Sequence, residues 1–217
     1  VHQDSMVPEF QSYSSLKTIR SLRMDNIRVQ IKPHTDEASQ FLEYEVFRDA
    51  GYIEPNSDEV VKEFAAYPNS EFVVAQNDSE LTGIMRLVYA RANMENLGLP
   101  TLKAFDIWDQ WRVKIEEINP EKLGEFGTLA VLKPFRGGKT TYLLKRKAIV
   151  HPILNGYRYG ISMIDKGLLT RLNNGGYKLN QIGEEKKYMG SVTVPVMASL
   201  YQFPQSLGIW LKKSLIG

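Results

Sequence analysis

Cysteine is absent from the 217 residues. That excludes disulfides, a thiolate nucleophile and zinc held by thiolates. Histidine is scarce. His2, His34 and His151 stand far apart and make no HExxH or paired spacing, so no metal centre is expected. Apolar runs are short: none approaches the ~20 residues that cross a bilayer as a helix. The first residues show no signal-type apolar region, and the expectation is a cytosolic protein. An excess of one charge is missing as well. The formal net charge of +2 is too small to make nucleic acid the main partner. There is no repeat or low-complexity tract. An enzyme built from this chain works with oxygen or nitrogen groups, or by direct transfer without a covalent intermediate.

What is present suits one sizeable domain with a full core, since 43% of the residues are apolar and 24% charged. The most informative stretch is residues 123–144, LGEFGTLAVLKPFRGGKTTYLL. Residues 129–132 are a short apolar run, the signal of a buried strand, with Glu125 just before it. Residues 133–139 form a turn rich in glycine and cations, and a helical pattern starts at Thr140. Strand, Gly-rich turn and helix together place backbone N–H groups where they can hold an anion, usually a phosphate. Gly138-Lys139-Thr140 copies the end of a nucleotide-binding P-loop, but the glycine needed five positions earlier is Lys133, and GxGxxG is absent too. A plain strand–turn–helix corner would explain the glycines, though not the cations.

The pattern Glu-Phe-Gly-Thr-Leu-Ala-Val-x-x-x-x-Arg-Gly resembles the central motif of the GNAT acyltransferase superfamily. More narrowly it is similar to the branch holding the N-acyl amino acid synthases, of the N-acyltyrosine type, and the acyl-homoserine lactone synthases. The resemblance spans roughly residues 27–200. It implies an α/β (α+β) fold with a mixed, mostly antiparallel twisted sheet and flanking helices. In that superfamily an Arg/Gln-x-x-Gly-x-Gly/Ala loop binds pantetheine pyrophosphate. Here Arg136 matches, but Lys139 and Thr141 replace the small residues. That departure fits a donor carried by acyl carrier protein, whose phosphopantetheine has one phosphate and no adenine nucleotide, better than coenzyme A. The implied donor contacts are Arg136, Gly137, Gly138, Lys139 and Thr140. The lactone synthases carry Arg-x-x-Phe…Trp…Asp-x-x-Asp near the first helix. This chain has no such tryptophan or acidic pair, which argues against S-adenosylmethionine as the amine substrate.

In chain order, residues 1–25 read as a polar extension with a helical turn near 16–23. The domain follows at 26–200 and a closing amphipathic helix at 201–217. Residues 27–31 alternate as a strand. Thr35 or Asp36 caps a helix to about Ala50, ended by Gly51, and a second helix starts at Ser57 or Asp58. Residues 71–76 and 81–88 form an antiparallel hairpin around a polar turn. The connection 90–122 is long enough to need a purpose. It reads either as a wall over an apolar substrate or as a short helix and strand packed on the core. Helix 137–154 carries Tyr142, Leu143, Leu144, Ala148, Ile149 and Ile153 on its apolar side. A strand at 159–164, a helix at 166–174 and a late strand at 191–200 complete the pattern, with Pro195 at a splay or an edge.

Acyl transfer to an amine must remove a proton from the amine and stabilise negative charge on the thioester carbonyl. Glu125 matches the motif's glutamate and is the candidate base. Backbone N–H groups near Leu129, Ala130 and Val131 are candidates to polarise the carbonyl, exposed where the superfamily's bulge splays two strands. Arg86, a charge on an otherwise apolar strand, is the candidate grip for an acceptor carboxylate; the alternative is an ion pair with a nearby acid. Tyr177 stands at the superfamily's usual acid position. Six cations and no acid lie between Lys133 and Lys147. Lys145, Arg146 and Lys147 would make a docking face for an acidic carrier protein. The leading expectation is transfer of a long acyl chain from acyl carrier protein to the amino group of an amino acid, with tyrosine the acceptor that the resemblance suggests, and with no metal and no tightly bound cofactor. Lactone synthesis, coenzyme A-dependent transfer of a small acyl group and a silent acyl-binding module are the alternatives.

Overall fold

The computed structural model describes residues 26–52, 67–78 and 80–202. Eight strands make one sheet. They are β1 (Ile27–Pro33), β2 (Ser70–Asn77), β3 (Glu80–Tyr89), β4 (Leu123–Val131), β5 (Tyr159–Asp165), β6 (Asn180–Gln181), β7 (Lys186–Tyr188) and β8 (Ser191–Ser199). The order across the sheet is β1-β2-β3-β4-β5-β8-β6, with β7 also on β8. Every pairing is antiparallel except β4 with β5.

Helices cover both faces. On one side lies α1 (Glu37–Asp49), started by the Asp36 carboxylate accepting from the Ser39 N–H at 3.1 Å. Its Leu42 and Val46, one turn apart, pack on Phe72, Val74, Ile84 and Ala130. The same face receives the connection between β3 and β4, which holds α2 (Pro100–Ala104) and α3 (Asp109–Glu116). From it Leu99, Phe105, Ile107 and Ile115 pack with Val88, Leu123, Ile161 and Met197. On the opposite side α4 (Lys139–Leu154) presses Leu144 and Ala148 onto Val73, Ala75, Leu87 and Val131. The last helix, α5 (Lys166–Asn174), is capped by Asp165 and packs along β5 and β8.

Several expectations change. Glu125 lies inside β4, not before it, because the strand begins at Leu123. Tyr142 is 54% exposed and so off the apolar side of α4. Pro195 is neither at the splay nor on an edge. It lies in the interior strand β8, opposite the gap where β6 pairing ends and β7 pairing begins. Strands β6 and β7 are too short for period-2 patterning to reveal. The expected helical turn near 16–23, the second helix after Ser57 and the closing helix beyond Gln202 lie outside the described residues.

Candidate active site

The site is made where β4 and β5 part. They pair in parallel at only three positions, from Leu123 with Tyr159 to Glu125 with Ile161. Beyond that β4 continues along β3, and β5 continues along β8. The Ser162 hydroxyl donates to the Phe126 carbonyl at the start of the split. The β3–β4 ladder also shifts register, so that Gly127 and Thr128 oppose Arg86 alone, a bulge that bends β4 away. Gly160 is needed here: a Cβ on it would come 2.7 Å from the Phe126 ring. A cavity of about 360 Å³ opens at the split, with walls from both faces of the sheet.

Three of the expected residues sit on this edge. Leu132 donates to the Thr82 carbonyl at 3.0 Å. By the alternation of an antiparallel ladder Ala130 also turns its N–H to β3, and Leu129 and Val131 turn theirs away from it. Ala130 is therefore corrected from N–H donor to ladder residue.

Glu125 lines the cavity while only 3% of its surface is exposed. One carboxylate oxygen accepts from the Thr101 backbone N–H at 2.9 Å and the other from the Thr101 hydroxyl at 2.8 Å. Burial pushes the carboxyl up to about 7, against the smaller lowering pull of the two Thr101 bonds. A carboxyl at that value accepts protons efficiently near neutral pH. Thr101 enters the site because Pro100 starts α2 there, leaving the second N–H of the helix free to donate. The long connection is thus both core and cavity wall.

Arg86 lines the cavity too, but its donors are committed. Nε and Nη2 reach the two oxygens of Glu43, and Nη1 reaches the Ser70 hydroxyl at 3.2 Å. The Thr128 hydroxyl donates to the same Glu43 carboxylate. Burial pushes the Glu43 carboxyl up, and the hydrogen bonds and charge of Arg86 pull against it. The fork read as a grip for an acceptor carboxylate is turned onto Glu43, because a guanidinium buried at this depth needs an internal anion. The pair clamps α1 to the bulge instead.

The Gly-rich turn is built as read. Gly137 takes φ +68°, which favours glycine, and Gly138 starts α4 without a side-chain cap, so the first N–H groups of the helix are open to an anion. Arg136 is exposed and anchored through Nε to the Val131 carbonyl at 2.8 Å. Lys139 is exposed, while Thr140 is fully buried and its hydroxyl lacks a partner among the described residues. The three later cations of α4 do not form one docking face. Lys145 lines the cavity, and Lys147 acts on Glu71, which also holds His151 at 2.8 Å. Arg146 is half-buried. Tyr177 lines the cavity, its phenol pushed up by burial and, to a smaller extent, by Tyr142.

The family model of the N-acyl amino acid synthase FeeM matches residues 38–200. The chain belongs to the FeeM family of N-acyl amino acid synthases. As a family member it is an N-acyltransferase. Among solved structures, FeeM from uncultured soil microbes is similar over 81% of this chain and 89% of its own, at 17% identity and TM-score 0.55. BjaI, a CoA-dependent acyl-homoserine lactone synthase with SAM and isopentyl-CoA, matches over 87% and 89% at 12% identity and TM-score 0.65. An N-acetyltransferase-like protein from Lactobacillus plantarum matches over 81% and 99% at 13% identity and TM-score 0.54. These likenesses show the GNAT-like fold. No curated protein sequence matches the chain. Among the described residues no helix is long and apolar enough to cross a membrane.

Proposed function

We propose that this family member transfers a long acyl chain from the phosphopantetheine of an acyl carrier protein to the α-amino group of an amino acid, with tyrosine as the favoured acceptor. The observation that carries the reading is Glu125: a buried carboxylate at the head of the strand split, held by two Thr101 bonds, with its pKa raised to about 7. It takes the amine proton as nitrogen attacks the thioester. The N–H of Leu129 turns away from β3 beside the same cavity and can receive the carbonyl oxygen. The cavity of about 360 Å³ is lined mostly by apolar side chains, which suits an acyl chain.

The carrier-protein donor is supported by the turn before α4. Lys139 and Thr141 occupy the loop where a pyrophosphate would need small residues. Exposed Lys133, Arg136 and Lys139 give this end a positive charge that suits an acidic partner. The aromatic residues Phe47, Tyr52, Tyr67 and Tyr188 on the cavity wall suit an aromatic acceptor.

The test is mass spectrometry of products after incubation with acyl-carrier-protein or acyl-coenzyme A thioesters, a mixture of all amino acids and S-adenosylmethionine. One dominant N-acyl amino acid from the carrier-protein donor supports the reading. Product from coenzyme A alone overturns the donor, and an acyl lactone with consumption of S-adenosylmethionine overturns the acceptor.

A further inference from the structure

Most charged groups on the cavity wall already have a partner. Glu125 is held by Thr101, Arg86 by Glu43, and Asp165 caps α5 by accepting from the Leu168 N–H at 3.0 Å. Lys145 differs. It is half-buried, lines the cavity and has no ion pair or hydrogen bond among the described residues. Burial pushes its ammonium down, the direction that follows when a cation loses water without gaining an anion.

Its side of the sheet identifies the anion it lacks. Glu125 pairs across the ladder with Val88, on the face covered by α1 and α2. Lys145 comes from α4 on the opposite face, one turn before Ile149, which packs with Phe126. The helix that presents Lys145 is the one whose first turn makes the anion loop, so this is the donor's side. An acceptor amine that reaches Glu125 brings its α-carboxylate to the Glu125 face, because the two groups share one carbon.

We propose that Lys145 is a catalytic residue for the leaving group: its ammonium meets the donor sulfur as the carbon–sulfur bond breaks. The inference rests on the acyl-transfer reading above. The nitrogen lone pair forms the new bond to the acyl carbon. The carbon–sulfur pair passes to sulfur, the amine proton goes to Glu125, and the thiolate takes a proton from Lys145. The products are an amide and a thiol, and exchange with water returns a proton from Glu125 and restores that of Lys145. Tyr177 also lines the cavity, but burial moves its phenol away from the thiol range near ~8.5, whereas burial moves Lys145 towards it.

The test compares two donors with the same acyl chain, a pantetheine thioester and a thiophenyl ester whose thiol is much more acidic. Lys145→Met should lower kcat with the pantetheine donor by about 10²-fold. With the thiophenyl donor the loss should shrink to about threefold, since a stable thiolate needs no proton as it leaves. Lys145→Gln should give the same pattern, KM for the amino acid should hold, and whatever Tyr177→Phe loses as a wall residue should be lost to the same extent with both donors. Equal loss with both donors, a change confined to the amino-acid KM, or a donor-dependent loss in Tyr177→Phe alone would overturn the assignment. Wild-type protein that turns over neither donor would bring down the acyl-transfer reading itself, and this inference with it.

Discussion

Replacing Thr101 by valine removes one hydroxyl and keeps the shape. The 2.8 Å bond to one Glu125 oxygen is lost, and the backbone bond at 2.9 Å to the other remains. Both bonds favour the ionised carboxylate, so losing one raises a pKa that already stands at about 7. A hydrogen bond to a charged group is worth roughly 1.5–3 kcal/mol, or about one to two pKa units. The acidic limb of kcat/KM against pH should therefore move from about 7 in wild type to about 8 or 9 in Thr101→Val. At pH 7 about half of Glu125 is ionised in wild type and about a tenth or less in the variant, so kcat/KM should fall by roughly five- to fiftyfold there. It should recover towards wild type at high pH. Steady-state N-acyl amino acid formation across pH gives the comparison. A loss that is the same at every pH, or a limb that stays in place, would refute the link between Thr101 and the base.

Glu125→Gln should stabilise the protein increasingly as pH rises. The folded pKa of about 7 lies above the ordinary 4.5, so the stability of the wild-type fold is full below about 4.5 and falls as pH rises through 7. The gain over wild type should approach about 3 kcal/mol above pH 8 and vanish near pH 4, read from urea unfolding. Glu43→Ala leaves Arg86 buried without its anion, and should cost about 3–5 kcal/mol in the same assay; a loss below about 1 kcal/mol would contradict the clamp. Gly160→Ala places a Cβ 2.7 Å from the Phe126 ring. It should cost about 1–3 kcal/mol and reduce kcat/KM, and a smaller residue at Phe126 should restore the melting temperature.

Much of this site was legible because its chemistry is local. The strand, the Gly-rich turn and the helix start lie within residues 123–144, and the motif marks Glu125 directly. What was hidden involves partners distant in sequence. Thr101 lies 24 residues from Glu125, and Glu43 lies 43 residues from Arg86. No periodicity connects those positions; only the sheet brings α1 and α2 to the same face. A charged Arg86 on a buried strand did signal that some anion must meet it, and an acid on a neighbouring helix satisfies the same demand as a substrate. The six-cation run was misleading for a helical reason. Residues 145, 146 and 147 step about 100° apart around α4, so adjacent charges point to different surroundings, and one of them enters the cavity. The bulge left no mark beyond Gly127, since a glycine in a strand is compatible with several backbone irregularities.

The most direct test of the account is the rate of N-acyl amino acid formation by Glu125→Gln beside wild type, with the donor saturating. If Glu125 takes the amine proton, kcat should fall by about 10² to 10⁴ with little change in the donor KM, and the acidic limb near pH 7 should disappear. A variant within a few-fold of wild type that keeps that limb would contradict the assignment of the base.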